Sequence, residues 1–439
     1  MKVLIIHPCA RSDPRGFSAW SSDVAMYAAS LKAGGHEPAV LSTRVYDESE
    51  LRRAIDSTGA KLVLIHAISR QADQARAIGA FYATNYSGRT TVMFVGPHPS
   101  AWPADCMNVA KGVYALRGYA EHLLAPLADA IATTGDFFSL PGLSFPVMNR
   151  FYHNQIETPP PLDARPLPDR ELTNYTAHVG DLSDSIGAEI DTSRGDYHVG
   201  DRSQACFDMT QPRTGVIVPF QQRTPAQVLT EAVHLKSLLP GLRFLGLRDE
   251  WCLANAVWVR ELCSAWRATV GLPFWVSARP EFLTESTFEA LAGGGCFRVH
   301  LMVESGSEHV RRNSLGRRVS NSHLYYVARA CRRFGIALIA INELGFPGET
   351  EDLLLKSLAT NRRMHPDWSL CSIFHPEPGS AIFQRAETKK WLTASSYGVF
   401  YDPDVRVDQP WIRATKIDNY LKSFNQFIYG EQSLAMTRR

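Results

Sequence analysis

Eight cysteines are the residues of this chain with the widest chemical range, because thiolates can bind metals, form disulfides or act as nucleophiles. They are spread along the whole chain: Cys9, Cys106, Cys206, Cys252, Cys263, Cys296, Cys331 and Cys371. No two lie within ten residues of each other, so the chain has neither a CxxC pair nor the spacing of a zinc knuckle. The spacing predicts buried thiols in a reducing compartment.

A second candidate is the turn Gly96-Pro97-His98-Pro99-Ser100, which is followed by the segment Arg117-Gly118-Tyr119-Ala120-Glu121. Glycine and proline shape a turn in which a ligand can approach the backbone, and the polar residues can contact a polar group of that ligand. The same composition also suits a tight strand-to-helix turn without a ligand. The residues alone leave both interpretations open.

Polar residues and glycines also follow apolar runs in the second half of the chain: Asp249, Glu250, Arg279, Glu304, Ser305, Gly306, Glu343 and Gly345. The Glu304 carboxylate can accept hydrogen bonds from ribose hydroxyls or from an amino group. Arg279 can bind a carboxylate through two parallel hydrogen bonds. Structural salt bridges are the alternative for each of these residues.

The elements that would position the first group alternate between short apolar runs and helix-length segments. Strands are predicted near residues 3–7, 39–41, 62–66, 92–95 and 113–115, with the first helix over 19–33. This order predicts an α/β, Rossmann-like doubly wound sheet over 1–140, with ligands at the carboxyl ends of its strands. The loops after His7, His66 and Val95 are therefore candidate ligand loops, and no G-x-G-x-x-G follows the first strand.

Residues 141–180 are rich in proline and predict a semi-rigid linker. Six further strands are predicted at 188–192, 244–247, 274–277, 297–303, 336–341 and 368–373. Over 181–380 they indicate a partial (β/α)6 TIM-like barrel, whose functional residues lie at the carboxyl ends of strands. Thr224 with Pro225, and Ser320 with Gly335, mark helix ends. The α-rich tail, 381–439, either covers the barrel mouth with aromatic residues or packs as ordinary helices, including an amphipathic stretch over 417–428.

Several of these motifs together resemble the radical S-adenosylmethionine (SAM) superfamily with a cobalamin-binding domain. The G-P-H-P-S turn and the R-G-Y-A-E segment resemble the cobalamin domain, while Glu304-Ser305-Gly306-Ser307-Glu308 and Gly345-Phe346-Pro347-Gly348-Glu349-Thr350 resemble the barrel. The resemblance implies that cobalamin is held by Pro8, Ser12, Gly16, His66, Gly96, Pro97, His98, Pro99, Ser100, Arg117, Gly118 and Glu121. It assigns a nucleoside, SAM or substrate to Asp249, Glu250, Arg279, Glu304, Ser305, Gly306, Glu343 and Gly345. The D-x-H-x-x-G motif is absent from residues 1–140, so no axial histidine of that kind is expected.

One motif of that superfamily is missing. Its members hold a [4Fe–4S] cluster with three thiolates in a C-x3-C-x2-C run after the first barrel strand. Here Ser193-Arg194-Gly195 is followed by Asp196, and the matching register puts Asp201, Ala205 and Asp208 at the ligand positions. We therefore expect no cluster. In the degenerate loop, Asp196, His198, Asp201 and Cys206 are expected to be solvated rather than to hold a metal through oxygen and nitrogen ligands.

The favoured function is a cobalamin-dependent biosynthetic enzyme without the cluster, carrying out methyl transfer or another cobalt-centred reaction on a small natural-product molecule, with an external reductant. One alternative is a non-catalytic cobalamin- or SAM-binding homologue that partners an active enzyme, and another is a polar reaction of SAM. The net charge of +2 over 439 residues argues against bulk nucleic-acid binding. With no long apolar run or signal-peptide pattern, a cytoplasmic protein without membrane contact is expected.

Overall fold

The computed structural model describes residues 1–9, 21–133, 135–173, 175, 187–195, 220–376, 380–392 and 407–430. The chain divides into two compact units, the first described as far as Tyr175 and the second from Gly187 onward. Ser12 and Gly16, and the degenerate loop with Asp196, His198, Asp201 and Cys206, lie outside the described residues.

The first unit contains a seven-stranded sheet with helices on both faces. Its strands are β1 (Lys2–Pro8), β2 (Glu37–Thr43), β3 (Leu62–His66), β4 (Thr91–Val95), β5 (Val113–Leu116), β6 (Leu143–Val147) and β7 (Arg150–His153). Its α-helices are α1 (Ser22–Ala33), α2 (Glu48–Thr58), α3 (Ala72–Asn85), α4 (Pro97–Ala101), α5 (Pro103–Met107) and α6 (Leu124–Thr133). The strand order is β2-β1-β3-β4-β5-β6-β7, and the first five strands are parallel.

Alternate residues of β1 explain the doubly wound arrangement. Val3 and Ile5 pack in the core that includes α1 and α6, while Leu4 and Ile6 pack in the core that includes α2 and α3. A strand buried on both faces therefore has the almost continuous apolar sequence that predicted it. The predicted doubly wound fold is confirmed.

The segment predicted as a linker differs from expectation, because β6 and β7 extend the first sheet in antiparallel fashion. Pro146 removes a backbone donor from β6, a change that strands tolerate mainly near the edges of sheets. Because of this proline the sequence predicted a linker, although the segment contains a strand close to the sheet edge.

The second unit is built on six parallel strands in chain order, which form a half-barrel. These strands are β8 (Gly187–Ile190), β11 (Phe244–Leu247), β12 (Phe274–Ala278), β13 (Cys296–Glu304), β14 (Ala337–Leu344) and β15 (Trp368–Ile373). A separate pair is formed by β9 (Ser193–Arg194) and β10 (Gln221–Gln222). The predicted partial TIM-like barrel is confirmed.

The helices of this unit are α7 (Pro225–Leu238), α8 (Ala256–Thr269), α9 (Glu285–Gly294), α10 (Glu308–Asn313), α11 (Asn321–Phe334), α12 (Glu351–Met364), α13 (Ala381–Thr388) and α14 (Ala414–Tyr429). Thr224 caps α7 and Ser320 caps α11, as predicted, and Gly335 ends α11 in the left-handed conformation. Among the described helices, none is long and apolar enough to cross a membrane.

Candidate functional site

The turn after β4 is buried and hydrogen-bonded within the first unit. Gly96 has φ +104°, and a Cβ there would lie 2.8 Å from Cδ2 of His66. His98 is fully buried, with Nδ1 3.1 Å from Ser69 Oγ and Nε2 2.9 Å from Asp105 Oδ2. Both nitrogens of His98 are therefore used inside the protein, which makes it a residue that positions the turn.

Ser100 joins the two motifs of the first unit. Its hydroxyl donates to the Gly96 carbonyl oxygen at 2.7 Å and accepts from the Gly118 N–H at 2.9 Å. The G-P-H-P-S turn and the R-G segment are thus parts of one hydrogen-bonded structure at the carboxyl ends of β4 and β5.

Arg117 and Glu121 fasten the segment that follows β7. The Arg117 guanidinium donates to the Asn154 carbonyl oxygen, and Glu121 Oε2 lies 3.5 Å from Arg165 Nη1. Burial lowers the pKa of Arg117 to about 10. The described contacts of both side chains thus bind this segment to the rest of the first unit, and the assignment of both residues to cobalamin stays a prediction.

Two histidines meet where the sheet order reverses, at the carboxyl ends of β1 and β3. Nδ1 of His7 lies 3.2 Å from Nδ1 of His66. Nε2 of His66 is buried, lies 3.4 Å from Asp23 Oδ2, and makes no hydrogen bond within the described part of the chain. In sheets of this order, ligands bind at this reversal point. A buried polar atom without a hydrogen bond beside a glycine turn is compatible with a ligand at this edge.

An ion-pair network occupies the carboxyl ends of β11, β12 and β13 in the second unit. Arg279 binds Glu250 through two hydrogen bonds, Nε to Oε2 at 2.8 Å and Nη2 to Oε1 at 2.9 Å. Arg317 bridges two carboxylates, with Nη2 3.2 Å from Glu250 Oε2 and Nη1 2.8 Å from Glu304 Oε2. The Arg279 guanidinium also lies over the Trp251 ring, 3.6 Å from its centroid.

The pKa values of the two carboxyl groups of this network are shifted in opposite directions. Burial alone would raise the pKa of Glu250, but attraction to Arg279 and Arg317 outweighs it and lowers the pKa to about 2. Burial raises the pKa of Glu304, against the opposing charges of Arg317 and Arg279. Glu304 also has φ +60°, a strained backbone conformation for a residue with a side chain. Strain and perturbed acidity at the end of a barrel strand are typical of a functional position.

Asp249 is hydrogen-bonded to the chain after β8, whereas its neighbour Glu250 is bonded to arginines. Its Oδ2 accepts from Thr192 N at 2.6 Å and from Thr192 Oγ1 at 2.8 Å, and its Oδ1 accepts from Ser193 Oγ at 2.5 Å. Both oxygens thus hold the chain where it leaves β8. Asp249 therefore positions the start of the segment that leads to the degenerate loop after Gly195.

Ser305 and Gly306 pack against helix α12. The Ser305 hydroxyl lies 3.0 Å from Ser357 Oγ, and Gly306 N donates to the same Ser357 oxygen at 2.9 Å. A Cβ on Gly306 would lie 2.6 Å from Ser357 Cα. The space beside Gly306 is therefore filled by α12, which accounts for the glycine, and its assignment to a nucleoside, SAM or substrate stays a prediction.

The loop after β14 is closed on itself and on the tail. Glu349 Oε2 accepts from Gly345 N at 2.7 Å, and burial raises the Glu349 pKa to about 7. Gln409 accepts from Gly348 N at 2.6 Å and donates to the Phe346 carbonyl oxygen at 3.0 Å. The Gly345 N–H is therefore occupied, while Glu343, two residues earlier, lies on the opposite face of β14 from the buried Leu344.

The described cysteines are unsuited to binding metal. Cys9, Cys106, Cys252, Cys263, Cys296 and Cys331 are buried, and Cys371 is half-buried. Burial raises the pKa of Cys263 and of Cys331 to about 12, and also raises those of Cys106, Cys252, Cys296 and Cys371. No group of three or more His, Cys, Asp or Glu side chains in the described residues has an arrangement that could hold a metal ion.

The described part of the tail shows ordinary helical packing, and one of its side chains contacts the loop after β14. Ile417, Phe424 and Ile428 of α14 pack in one core with Leu344 and Ile373, which is ordinary helical packing. Gln409, by contrast, reaches the loop after β14 at the barrel mouth. Neither Gln409 nor Arg317 was identified from the sequence, because each acts through a partner more than 50 residues away.

Comparison with known proteins fits this architecture. No family model matches the chain. A curated relative, an uncharacterised methyltransferase of Pyrococcus horikoshii, is 21% identical over 324 residues, which are 72% of this chain and 67% of that protein.

Two solved structures are similar over most of the chain. The radical SAM methyltransferase TsrM of Kitasatospora setae matches with a TM-score of 0.69 and 18% identity, over 89% of this chain and 76% of TsrM. The cobalamin-dependent SAM radical enzyme OxsB matches with a TM-score of 0.65 and 14% identity, over 97% of this chain and 56% of OxsB. The chain therefore has the fold of cobalamin-dependent radical SAM enzymes, a Rossmann-like domain followed by a partial barrel. The resemblance found in the sequence motifs is confirmed at the level of the fold.

Proposed function

We propose that this chain is a cobalamin-dependent biosynthetic enzyme on a radical SAM scaffold that lacks the [4Fe–4S] cluster, and that it transfers a methyl group to a small molecule. The fold shared with TsrM, which was solved with cobalamin and a cluster bound, supports the cobalamin part. The methyltransferase relative supports the reaction class. Without a cluster, the electrons needed at cobalt would come from an external reductant.

The observation that carries the proposal is the chemistry of the cysteines. A [4Fe–4S] cluster held as in this superfamily needs three thiolates close together. Seven of the eight thiols belong to the described chain, and six of those seven have pKa values raised by burial. Cys206 alone lies in the segment after β9, and one thiolate is too few for such a cluster.

In this proposal cobalamin binds at the carboxyl ends of β1, β3 and β4. Pro8, His66, Gly96 and Pro97 are the described residues that would hold it, and the buried Nε2 of His66 beside Gly96 fits such a ligand. Ser100 links Gly96 to Gly118, and His98 positions the turn through Ser69 and Asp105, whereas the described contacts of Arg117 and Glu121 are with the segment after β7. When bound, cobalamin supplies the methyl-carrying cobalt chemistry, while the protein orients the substrate.

Binding of SAM or of a nucleoside-like substrate is assigned to the ion-pair network. Glu304 can accept from hydroxyl or ammonium groups, and Arg279 can bind a carboxylate if its bond to Glu250 opens. Substitution of Glu304 by alanine is expected to abolish the calorimetric signal of SAM. Wild-type protein that gives no SAM signal would remove SAM from the proposal and leave cobalamin.

The corrin site is tested by purifying the protein anaerobically with hydroxocobalamin and recording the corrin spectrum after gel filtration. Gly96→Ala should abolish retention, because the new Cβ would meet the His66 ring at 2.8 Å. Gly88→Ala is the matched control, since Gly88 has φ +73° but open space around its Cβ. Equal corrin retention by both variants would contradict the site, and a wild type without corrin would contradict the function.

A second candidate is a non-catalytic homologue that supports an active enzyme. It is favoured by the closed ion pairs of the barrel mouth, where Glu250 and Glu304 are already bound to arginines. Co-purification of a cluster-bearing homologue, with no turnover by the isolated chain, would support it. Turnover by the pure protein with cobalamin and a reductant would exclude it.

A further inference from the structure

The half-barrel sheet has two faces of different character. Leu344 and Ile373 pack against α12 and α14, which defines the outer, helix-covered face of β14 and β15. Glu343 and Ser372 directly precede these residues, and because successive side chains of a strand alternate between faces, they point to the inner face. Along β13 the same alternation separates the fully buried Val299, Leu301 and Val303 from the half-buried residues between them.

An apolar row crosses three strands of this inner face. Met302, Ile341 and Leu370 are partners in the register of β13, β14 and β15. Parallel strands in register place such side chains beside one another on one face. Met302 and Ile341 are half-buried, and Leu370 is 48% exposed. Apolar surface inside a half-barrel is a typical position for the body of a small-molecule ligand.

His300 lies one row deeper in the barrel. It is in register with Ser277 on β12 and with Ile339 on β14. Its imidazole stacks on the Trp275 indole, with centroids 4.3 Å apart and planes 21° apart. Gly246 makes room for this indole, because a Cβ there would lie 2.2 Å from Trp275 Cε2. The stack fixes the plane of the imidazole.

The imidazole of His300 is half-buried, and within the described chain its nitrogens form no hydrogen bond. Burial, followed by the nearby charge of Arg298, lowers the His300 pKa to about 4. The ring is therefore neutral near pH 7. It can accept one hydrogen bond and donate another, but it is too weak a base to remove a proton from an ordinary substrate.

We propose that His300 contacts the substrate, and that the inner face binds a small molecule whose apolar body lies on Met302, Ile341 and Leu370 and whose N–H or O–H group is bonded to His300. This inference rests on the proposed function, since it identifies the substrate class of the same barrel. It assigns His300 to orientation of the substrate, with no proton transfer.

Indole and 1-methylindole are suitable probes, because they differ only in the presence of the N–H donor. Binding of each to the full-length protein is measured by ligand-observed NMR at pH 7. Because indole can form one more hydrogen bond, we expect the wild type to bind it about fivefold to tenfold more tightly than 1-methylindole. His300→Phe keeps the stacked ring but removes both nitrogens, so this preference should disappear.

Two further variants separate this role from a general effect on folding. His234→Phe, on the exposed side of α7, should keep the wild-type preference. His300→Gln retains a hydrogen-bonding group and should keep most of the preference, whereas Leu370→Ser should weaken both probes equally. An unchanged preference in His300→Phe, or a wild type that binds neither probe, would overturn the inference. Loss of corrin binding with an intact indole preference would instead count against the proposed function alone.

Discussion

Replacement of Glu250 by glutamine tests whether the ion-pair network at the barrel mouth is a buried, mutually dependent structure. The substitution keeps the size of the side chain but removes the charge that Arg279 and Arg317 share. Both guanidinium groups are nearly buried, with 4% and 6% of their side chains exposed, and Glu250 is 27% exposed. Arg317 keeps its ion pair with Glu304 in this variant, whereas Arg279 loses the carboxylate that offsets the cost of burying its charge.

The expected loss of stability can be calculated from the lowered pKa of Glu250. Its pKa falls from 4.5 to about 2 in the folded protein, and each pKa unit is worth about 1.4 kcal/mol. The charge thus stabilises the fold by about 3 kcal/mol at pH 7. Because the folded pKa is the lower one, this stabilisation is present above pH 4.5 and is lost as the pH falls toward 2. At pH 3 about 1 kcal/mol should remain.

The assay is urea denaturation followed by tryptophan fluorescence at pH 7 and pH 3. Trp251, Trp258, Trp266 and Trp275 all report on the second unit. Glu285→Gln is the matched control, because its ion pair with Arg333 lies on the surface, where water and salt screen it, so its loss should change stability little. A Glu250→Gln variant as stable as the wild type at pH 7, or a stability difference that does not shrink at pH 3, would refute the reasoning.

Three further predictions concern the supporting structure. Gly306→Ala should lower stability by about 1–3 kcal/mol, because its Cβ would press on the Ser357 backbone; Gly293→Ala, with open space, should change little in the same thermal melt. His98→Ala should destabilise the first unit by about 1–3 kcal/mol, because it removes a fully buried side chain and its hydrogen bonds to Ser69 and to the half-buried Asp105, and an unchanged melting temperature would contradict this role. The buried, weakly acidic Cys263 and Cys331 should resist alkylation by iodoacetamide at pH 8 until urea is added, and rapid native labelling seen by mass spectrometry would contradict their burial.

The fold was largely predictable, because apolar runs and helix caps are local signals. The strands ending at His66 and Val95 and the helix between Ser320 and Gly335 follow from a few neighbouring residues each. The strands β6 and β7 were missed, since β6 pairs with β5, which lies far from Pro146 in the sequence, and β7 in turn pairs with β6. The prolines of this segment indicated a linker, whereas its first part forms two strands of the sheet.

The candidate site was predictable by position but less so by role. Glu250, Arg279 and Glu304 do meet at one edge of the barrel, as strand ends of a parallel sheet should. The sequence could not distinguish a glycine required by a ligand from Gly306, which is required by helix α12. Arg317 and His300 were missed because their importance depends on contacts between strands and loops rather than on spacing along the chain.

On the account proposed above, this scaffold binds cobalamin without an iron–sulfur cluster. The most direct measurement is metal and absorbance analysis of protein purified anaerobically with hydroxocobalamin, with iron and sulfide supplied. We predict about one corrin per chain and iron near zero, as expected for a chain with too few accessible thiolates. Stoichiometric iron with the charge-transfer absorbance of a [4Fe–4S] cluster would contradict the claim.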